Sequence, residues 1–149
     1  MKIYEVRKDD FLISTDASLL NTDIIHDYLS KESYWATNIP RDVVERSIEH
    51  SLCFGIYHHQ QQAGFGRLVT DRATFAYLAD VFVLDAYRGK GLSKWLMGCI
   101  HAHPQLQGLR RWVLGTRDAH SLYEKFGWSV ISEEMRPRFM QRQDRKTYK

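Results

Sequence analysis

Between Tyr77 and His101 the chain reads YLADVFVLDAYRGKGLSKWLMGCIH, and this stretch restricts the fold more than any other. Tyr77 to Leu84 is a run of aromatic, aliphatic and β-branched residues closed by Asp85-Ala86. It is too short for a helix of its own, so the spacing predicts a buried strand. Asp80 is its one charge. From Leu92 the apolar residues Leu92, Trp95, Leu96, Cys99 and Ile100 fall at helical spacing, one stripe on a helix that ends before Pro104. Strand hands over to helix within Tyr87-Arg88-Gly89-Lys90-Gly91.

That handover suits an anion. The first turn of a helix has backbone N–H groups without partners, and the aligned peptide dipoles place about half a positive charge there. Gly89 and Gly91 have no Cβ to keep a ligand from the backbone, and Arg88, Lys90 and Lys94 surround the turn with mobile positive charge. A phosphate or pyrophosphate is the favoured guest; a basic turn that only connects two elements is the plain alternative. Nucleotide-binding fingerprints do not fit. The order Gly91-Leu92-Ser93-Lys94 lacks a lysine before the hydroxyl, and Lys94 stands where Gly-x-Gly-x-x-Gly needs its third glycine.

The rest of the chain supplies elements around this unit. Lys2 to Val6 alternates as a first strand, and Ile24, Ile25, Tyr28 and Leu29 follow the capping residues Asn21-Thr22-Asp23 as a short helix. A loop from Ser33 to Ile39 leads to a second helix opened by Pro40 and running to about His50, with Val44 and Ile48 inward. Leu52 to Tyr57 and Ala63 to Thr70 are expected to pair as antiparallel strands. Gly64 and Gly66 would weaken the second unless a bulge or a close neighbour requires them. Arg111 to Thr116 is a further strand. A helix follows on Ala119, Leu122, Tyr123 and Phe126, with Asp118 as N-cap and Gly127 just past its end. Trp128 to Ile131 and Arg136 to Gln141 are expected to close the sheet.

A length of 149 residues fits one domain, residues 1–149, with 44% hydrophobic and 26% charged residues. No apolar run reaches the ~20 residues that span a bilayer, and MKIYEVRKDD lacks a signal-peptide core, so a cytoplasmic location is expected. Cys53 lies in an expected strand and Cys99 on the helix stripe, as small buried hydrophobes. His58-His59 and His101-x-His103 have no paired cysteines or His-Glu-x-x-His run beside them, and no metal is expected. Arg136, Arg138, Arg142, Arg145, Lys146 and Lys149 concentrate positive charge in a tail opposed only by Asp144. Without a stacking platform or a reading helix this is a solvated terminus rather than a nucleic-acid surface.

At Arg88-Gly89-Lys90-Gly91-Leu92-Ser93 the chain resembles the GNAT superfamily of acyl-CoA-dependent N-acetyltransferases, whose signature is Arg/Gln-x-x-Gly-x-Gly/Ala, with Ser93 in place of the last small residue. Ala119-His120-Ser121-Leu122-Tyr123-Glu124-Lys125-Phe126-Gly127-Trp128 is similar to a second family segment, Ala-x-x-Leu-Tyr-Glu-Lys-x-Gly-Phe, although Thr116 stands where the family often has Asn. The resemblance is good over roughly residues 50 to 131. It implies a mixed α/β chain with the element order β-α-α-β-β-β-α-β-α-β-β. That is the GNAT-type three-layer α/β/α fold, with a central, mostly antiparallel sheet splayed between its fourth and fifth strands.

The resemblance also implies acetyl-CoA as acyl donor, its pantetheine arm along Val81, Phe82 and Val83 and its pyrophosphate over Arg88, Gly89, Lys90, Gly91, Leu92, Ser93 and Lys94, with Thr116 nearby. A neutral amine would attack the thioester while a backbone N–H near Phe82 or Val83 meets the carbonyl oxygen, and Tyr123 would protonate the leaving sulfur. Asp80 is the leading base. A lone carboxylate in an apolar strand is costly unless hydrogen-bonded, paired or used, so a structural bond to Arg67 is its equal alternative. Tyr77 and His120 are weaker candidates for the base. Tyr34 and Trp35 are either core anchors or, with Tyr77, walls of the acceptor site. A small-molecule primary amine is the expected acceptor. A protein or peptide N-acetyltransferase and a non-catalytic acyl-CoA sensor are the other readings. No nucleic acid or membrane partner is expected, and a homodimer stays open beside a monomer.

Overall fold

The computed structural model describes residues 2–144 and 148, so Arg145, Lys146 and Lys149 of the basic tail lie outside the described residues. Among the described residues six strands form one sheet in chain order: β1 Glu5–Lys8, β2 Phe11–Ser14, β3 Leu52–His58, β4 Gln61–Thr70, β5 Phe75–Val83 and β6 Arg111–Leu114. Each pair is antiparallel except β5 and β6, which run parallel. The α-helices are α1 Thr22–Asp27, α2 Arg41–Glu49, α3 Leu92–Ala102 and α4 His120–Glu124.

Local chemistry explains most boundaries. Asn21 caps α1 by accepting the Ile24 N–H through Oδ1, and α1 runs on into a wide turn over Tyr28–Glu32. Pro40 precedes the first turn of α2, as the sequence predicts. Gly127, at φ 89°, ends the helical turn that follows α4, with the Trp128 N–H returning to the Tyr123 carbonyl at 3.3 Å.

Three expectations need correction. Phe11–Ser14 is a strand that the sequence reading missed. Lys8 pairs with Phe11, so Asp9-Asp10 make a two-residue hairpin turn with Asp9 at φ 53°, a left-handed conformation that Asp tolerates. The first strand accordingly sits at Glu5–Lys8 rather than Lys2 to Val6. Neither Trp128 to Ile131 nor Arg136 to Gln141 joins the sheet. Trp128 is instead tied to α3, its Nε1 donating to His101 Nε2 at 2.9 Å, and Pro137 sits in a single 3₁₀ turn over Arg136–Arg138. Asp118 is not the cap of α4: the N-cap residue is Ala119, which has no side-chain cap bond and whose own N–H donates to Thr116 Oγ1 at 3.0 Å.

Alternation along the strands sends side chains into two cores, one on each face of the sheet. Phe54, Ile56, Leu68, Leu78, Leu96 and Ile100 pack on the α3 face. Cys53, Phe65 and Phe82 pack with Ile25, Leu29 and Val44 on the α1–α2 face, which completes the three layers. The glycines of β4 are explained by close neighbours. A Cβ on Gly64 would stand 2.8 Å from the Phe82 carbonyl oxygen, and one on Gly66 would stand 3.2 Å from Leu96.

Two irregularities of β5 prepare the site. Its pairing with β6 covers only Phe75 to Leu78, although the strand continues to Val83, so the two parallel strands part after Leu78. These are the fourth and fifth strands of the sequence-based expectation; the unforeseen β2 raises their number by one. Across from β4, Phe65 pairs with Phe82 and Arg67 with Ala79, so β5 holds one extra residue between these pairs. Asp80 lies in this bulge at φ 55°.

Candidate active site

The bulge decides where Asp80 points. Its carboxylate takes one hydrogen bond per oxygen, from Arg67 Nε at 2.9 Å and from Trp35 Nε1 at 2.8 Å, and the Arg67 and Asp80 side chains are 16% and 10% exposed. Arg67 also donates to Ser51 Oγ at 3.1 Å. The ion pair weighed from sequence is thus present, and the indole of Trp35 completes it. Trp35 is thereby fixed against β5 by a residue far away in the chain.

Its neighbour Tyr34 is fixed to the opposite lip. The Tyr34 hydroxyl accepts the Arg117 N–H at 3.0 Å, and the Arg117 guanidinium lies over the Tyr34 ring at 3.9 Å from the centroid. The loop carrying both aromatics therefore straps β5 to the segment between β6 and α4. Beneath it lies a cleft of about 420 Å³ lined by Tyr34, Trp35, Tyr77, Asp80, Thr116 and Tyr123, among others. Tyr148 also lines it, a contribution with no signal in the sequence.

Tyr123 forms the inner wall. It is 9% exposed on α4, and burial raises its phenol above the ordinary value, with smaller contributions from Tyr34 and Asp118. Such a phenol stays protonated and serves as a donor. A second hollow, about 1010 Å³, lies on its other side between β6, α4 and residues 128–136. His120 borders that hollow and not the cleft, which separates it from Asp80.

The glycine turn forms the far end of the site. Gly89 and Gly91 have φ values of 80° and 75°, and a Cβ at either would meet nothing within 4 Å. Conformation is thus what requires glycine here. Gly91 is the N-cap residue of α3 and provides no side chain to the first-turn amides, so those of Leu92, Ser93 and Lys94 are left for another partner. Lys90 and Lys94 are exposed beside them. Arg88 departs from the expectation of mobile charge. Its guanidinium donates to the Val83 carbonyl at 3.0 Å and to the Tyr28 hydroxyl at 3.1 Å, and it pairs with Asp85 at 3.4 Å. It fastens the turn to the end of β5. Tyr28 in turn stacks on Phe82 at 4.1 Å, so Phe82 has its side chain committed to the core and offers the site its backbone.

The two parallel strands part beside a glycine turn that opens a helix, an arrangement this chain shares with known acetyltransferases. The Acetyltransferase (GNAT) domain pattern matches residues 49–130. A Gibberella zeae protein described as a candidate acetyltransferase is 33% identical over 140 residues, covering 79% of this chain and 78% of the relative. The crystal structure of a GNAT-family candidate acetyltransferase from Xanthomonas campestris pv. campestris superposes with a TM-score of 0.88 at 47% identity, over 93% of this chain and 96% of that one. A GNAT-family acetyltransferase from Elizabethkingia anophelis, solved with acetyl-CoA bound, shares the fold at a TM-score of 0.61 and 14% identity, over 84% and 80% of the two chains. The chain belongs to the GNAT family and is an acetyltransferase.

Among the described residues no helix is long and apolar enough to cross a membrane. The sequence reading found the glycine turn and Tyr123 but missed three parts of the site: the bulge at Asp80, the Arg117 contact and Tyr148. A carboxylate inside an apolar strand was the only signal available for the first.

Proposed function

We propose that this acetyltransferase transfers the acetyl group of acetyl-CoA to a primary amine of a small molecule by direct attack. The observation that carries the reading is the strap. Tyr34 and Trp35 bond to opposite lips of the splayed strands and bridge the cleft that Tyr123 also lines. A cleft bridged in this way fits a compact acceptor better than an extended peptide laid along a sheet edge or groove.

Acetyl-CoA supplies an activated thioester. The amides of Leu92, Ser93 and Lys94 and the Gly89–Gly91 turn suit its pyrophosphate, and the side of β5 from Val81 to Val83 that β6 leaves unpaired, with the Val83 carbonyl held by Arg88, suits the amide-bearing pantetheine arm. Thr116 stays beside this edge, with its Oγ1 accepting the Ala119 N–H. Tyr77, Tyr34 and Trp35 give the neutral amine aromatic walls, and Asp80, paired with Arg67, completes the acceptor side of the cleft. With Arg67 and Trp35 already on its oxygens, Asp80 acts in this reading as an organiser of the acceptor wall as well as the candidate base.

The bond to form is between the amine nitrogen and the acetyl carbon, and the bond to break is carbon–sulfur. The nitrogen loses one proton, by way of Asp80 or water, and Tyr123 gives one to the departing sulfur, recovering its own from water. A backbone N–H at Phe82 or Val83 meets the carbonyl oxygen as charge gathers on it.

Thiol release with amine and peptide panels tests the acceptor class, small amines being expected to turn over faster. Tyr123→Phe is expected to lower kcat about 10²- to 10⁴-fold while the dissociation constant for acetyl-CoA stays put. Equal kcat in the variant would remove Tyr123 from the proton path.

A further inference from the structure

We propose that Asp10, His58 and His59 form a binding site for a divalent transition-metal ion at the hairpin end of the sheet. One ligand atom from each, a carboxylate oxygen and two imidazole nitrogens, lies within 4.8 Å of the other two. The set was invisible in the sequence, where the expectation of no metal weighed only ligands close along the chain. The fold supplies the third: β2 pairs with β3 so that Phe11 faces His58, which brings the Asp9-Asp10 turn against the His59-Gln60 turn.

The cluster is held from several sides. The His59 N–H donates to the Asp10 carbonyl at 3.5 Å, joining the turns, and His59 keeps the left-handed conformation at φ 57°. The His58 ring sits 4.8 Å from Phe11, 4.3 Å from His59 and 5.5 Å from Tyr87. Asp10 and His59 are exposed, and His58 is half-buried. Around a tetrahedral ion with bonds of about 2.0–2.2 Å, ligand atoms stand about 3.4 Å apart, so separations of up to 4.8 Å need contract by at most about 1.4 Å.

Two imidazoles and one carboxylate select Zn²⁺, Ni²⁺ or Cu²⁺ over Mg²⁺ and Ca²⁺, which prefer sets made of oxygen. Three protein ligands leave a fourth position to water. Tyr87 carries the site to the glycine turn, since it touches His58 and directly precedes Arg88.

The test is calorimetric titration of the full chain, without a polyhistidine tag, with Zn²⁺, Cu²⁺ and Mg²⁺ chlorides. One equivalent of Zn²⁺ is expected to bind with a dissociation constant far below about 1 mM, Cu²⁺ more tightly, and Mg²⁺ to give no heat. Asp10→Asn and His59→Asn are each expected to weaken Zn²⁺ binding at least about tenfold, the scale that even outer-sphere changes reach. Asn suits the left-handed conformation at position 59, so the turn survives that change. His50→Ala, at an exposed histidine elsewhere, is expected to bind as the wild type does. Electron paramagnetic resonance of the Cu²⁺ form should show two equatorial nitrogens. Wild-type affinity in either Asn variant, or a copper spectrum with fewer than two nitrogens, overturns the site.

Discussion

The two ends proposed for the cleft, one for the cofactor and one for the acceptor, are built by different means. The cofactor end is made of backbone that neighbours in sequence prepare: the last residues of β5, a turn with Gly89 and Gly91 in left-handed conformations, and the open first turn of α3. The acceptor end is made of side chains from distant segments, Trp35 on Asp80 and Tyr34 on Arg117. A site made of local backbone resists change in its surroundings but fails if its own glycines change. A site made of long-range side-chain bonds fails when any one partner is lost.

Asp80 anchors the acceptor end through a nearly buried ion pair, so changing it should give the largest effect on stability. Asp80→Ala leaves the nearly buried Arg67 guanidinium without its carboxylate and puts Ala into a left-handed conformation. A loss of about 3–5 kcal/mol in urea unfolding is expected, the range for removing one partner of a buried pair. Asp80→Asn keeps the size, suits the φ and can retain the Trp35 bond, and so should lose clearly less. Equal losses for both would mean that charge pairing, and not the bulge, dominates at this residue.

Gly91→Ala attacks the cofactor end alone. A left-handed Ala costs about 1–2 kcal/mol, and a turn that relaxes out of that conformation must recover this cost on binding, so acetyl-CoA should bind about five- to thirtyfold more weakly while the open space around the Cβ lets the fold survive. KM for the amine is expected to hold. A matching rise in both constants would show that the two ends are not separable.

This contrast also explains what the sequence could reveal. Periodicity marked β3, β4, β5 and α3, and the glycine turn was legible because its chemistry is contiguous. Tyr123 was legible through a motif on α4. Trp35 and Tyr34 were visible only as adjacent aromatics, because neither Asp80 nor Arg117 is near them in the chain. Trp128 to Ile131 alternates well enough for a strand, yet the Trp128–His101 bond holds it against α3 instead, a side-chain preference that hydrophobic alternation does not encode.

Trp35→Phe tests the acceptor end with the ring retained. It removes one hydrogen bond to a charged acceptor, worth about 1.5–3 kcal/mol, so KM for the amine should rise roughly tenfold or more. The dissociation constant for acetyl-CoA is expected to stay within about twofold, which converts to less than about 0.5 kcal/mol. An acceptor KM that does not move would show the strap to be structural only.

The smallest expected effect is a pH dependence that arises away from both ends, at the base of α3. His101 accepts the Trp128 N–H on Nε2 and is surrounded by the Trp112, Phe126 and Trp128 rings, and His103 accepts the Gln105 N–H on Nδ1. Burial lowers both below the ordinary 6.5, and Arg72 lowers His103 further. The unfolded chain therefore takes up these protons at a higher pH than the folded one, so their contribution to stability is complete above about pH 6.5. It falls as the pH drops below that value and is gone once the pH is under the folded pKa values. Urea midpoints measured from pH 8 down to pH 5 should be flat at first and then decline. In His101→Asn the decline should be shallower by the share of one group, while acetyl-CoA affinity at pH 8 matches the wild type. A decline of unchanged depth would mean that His101 is protonated as easily in the folded chain as in the unfolded one, and that the Trp128 bond does not hold it neutral.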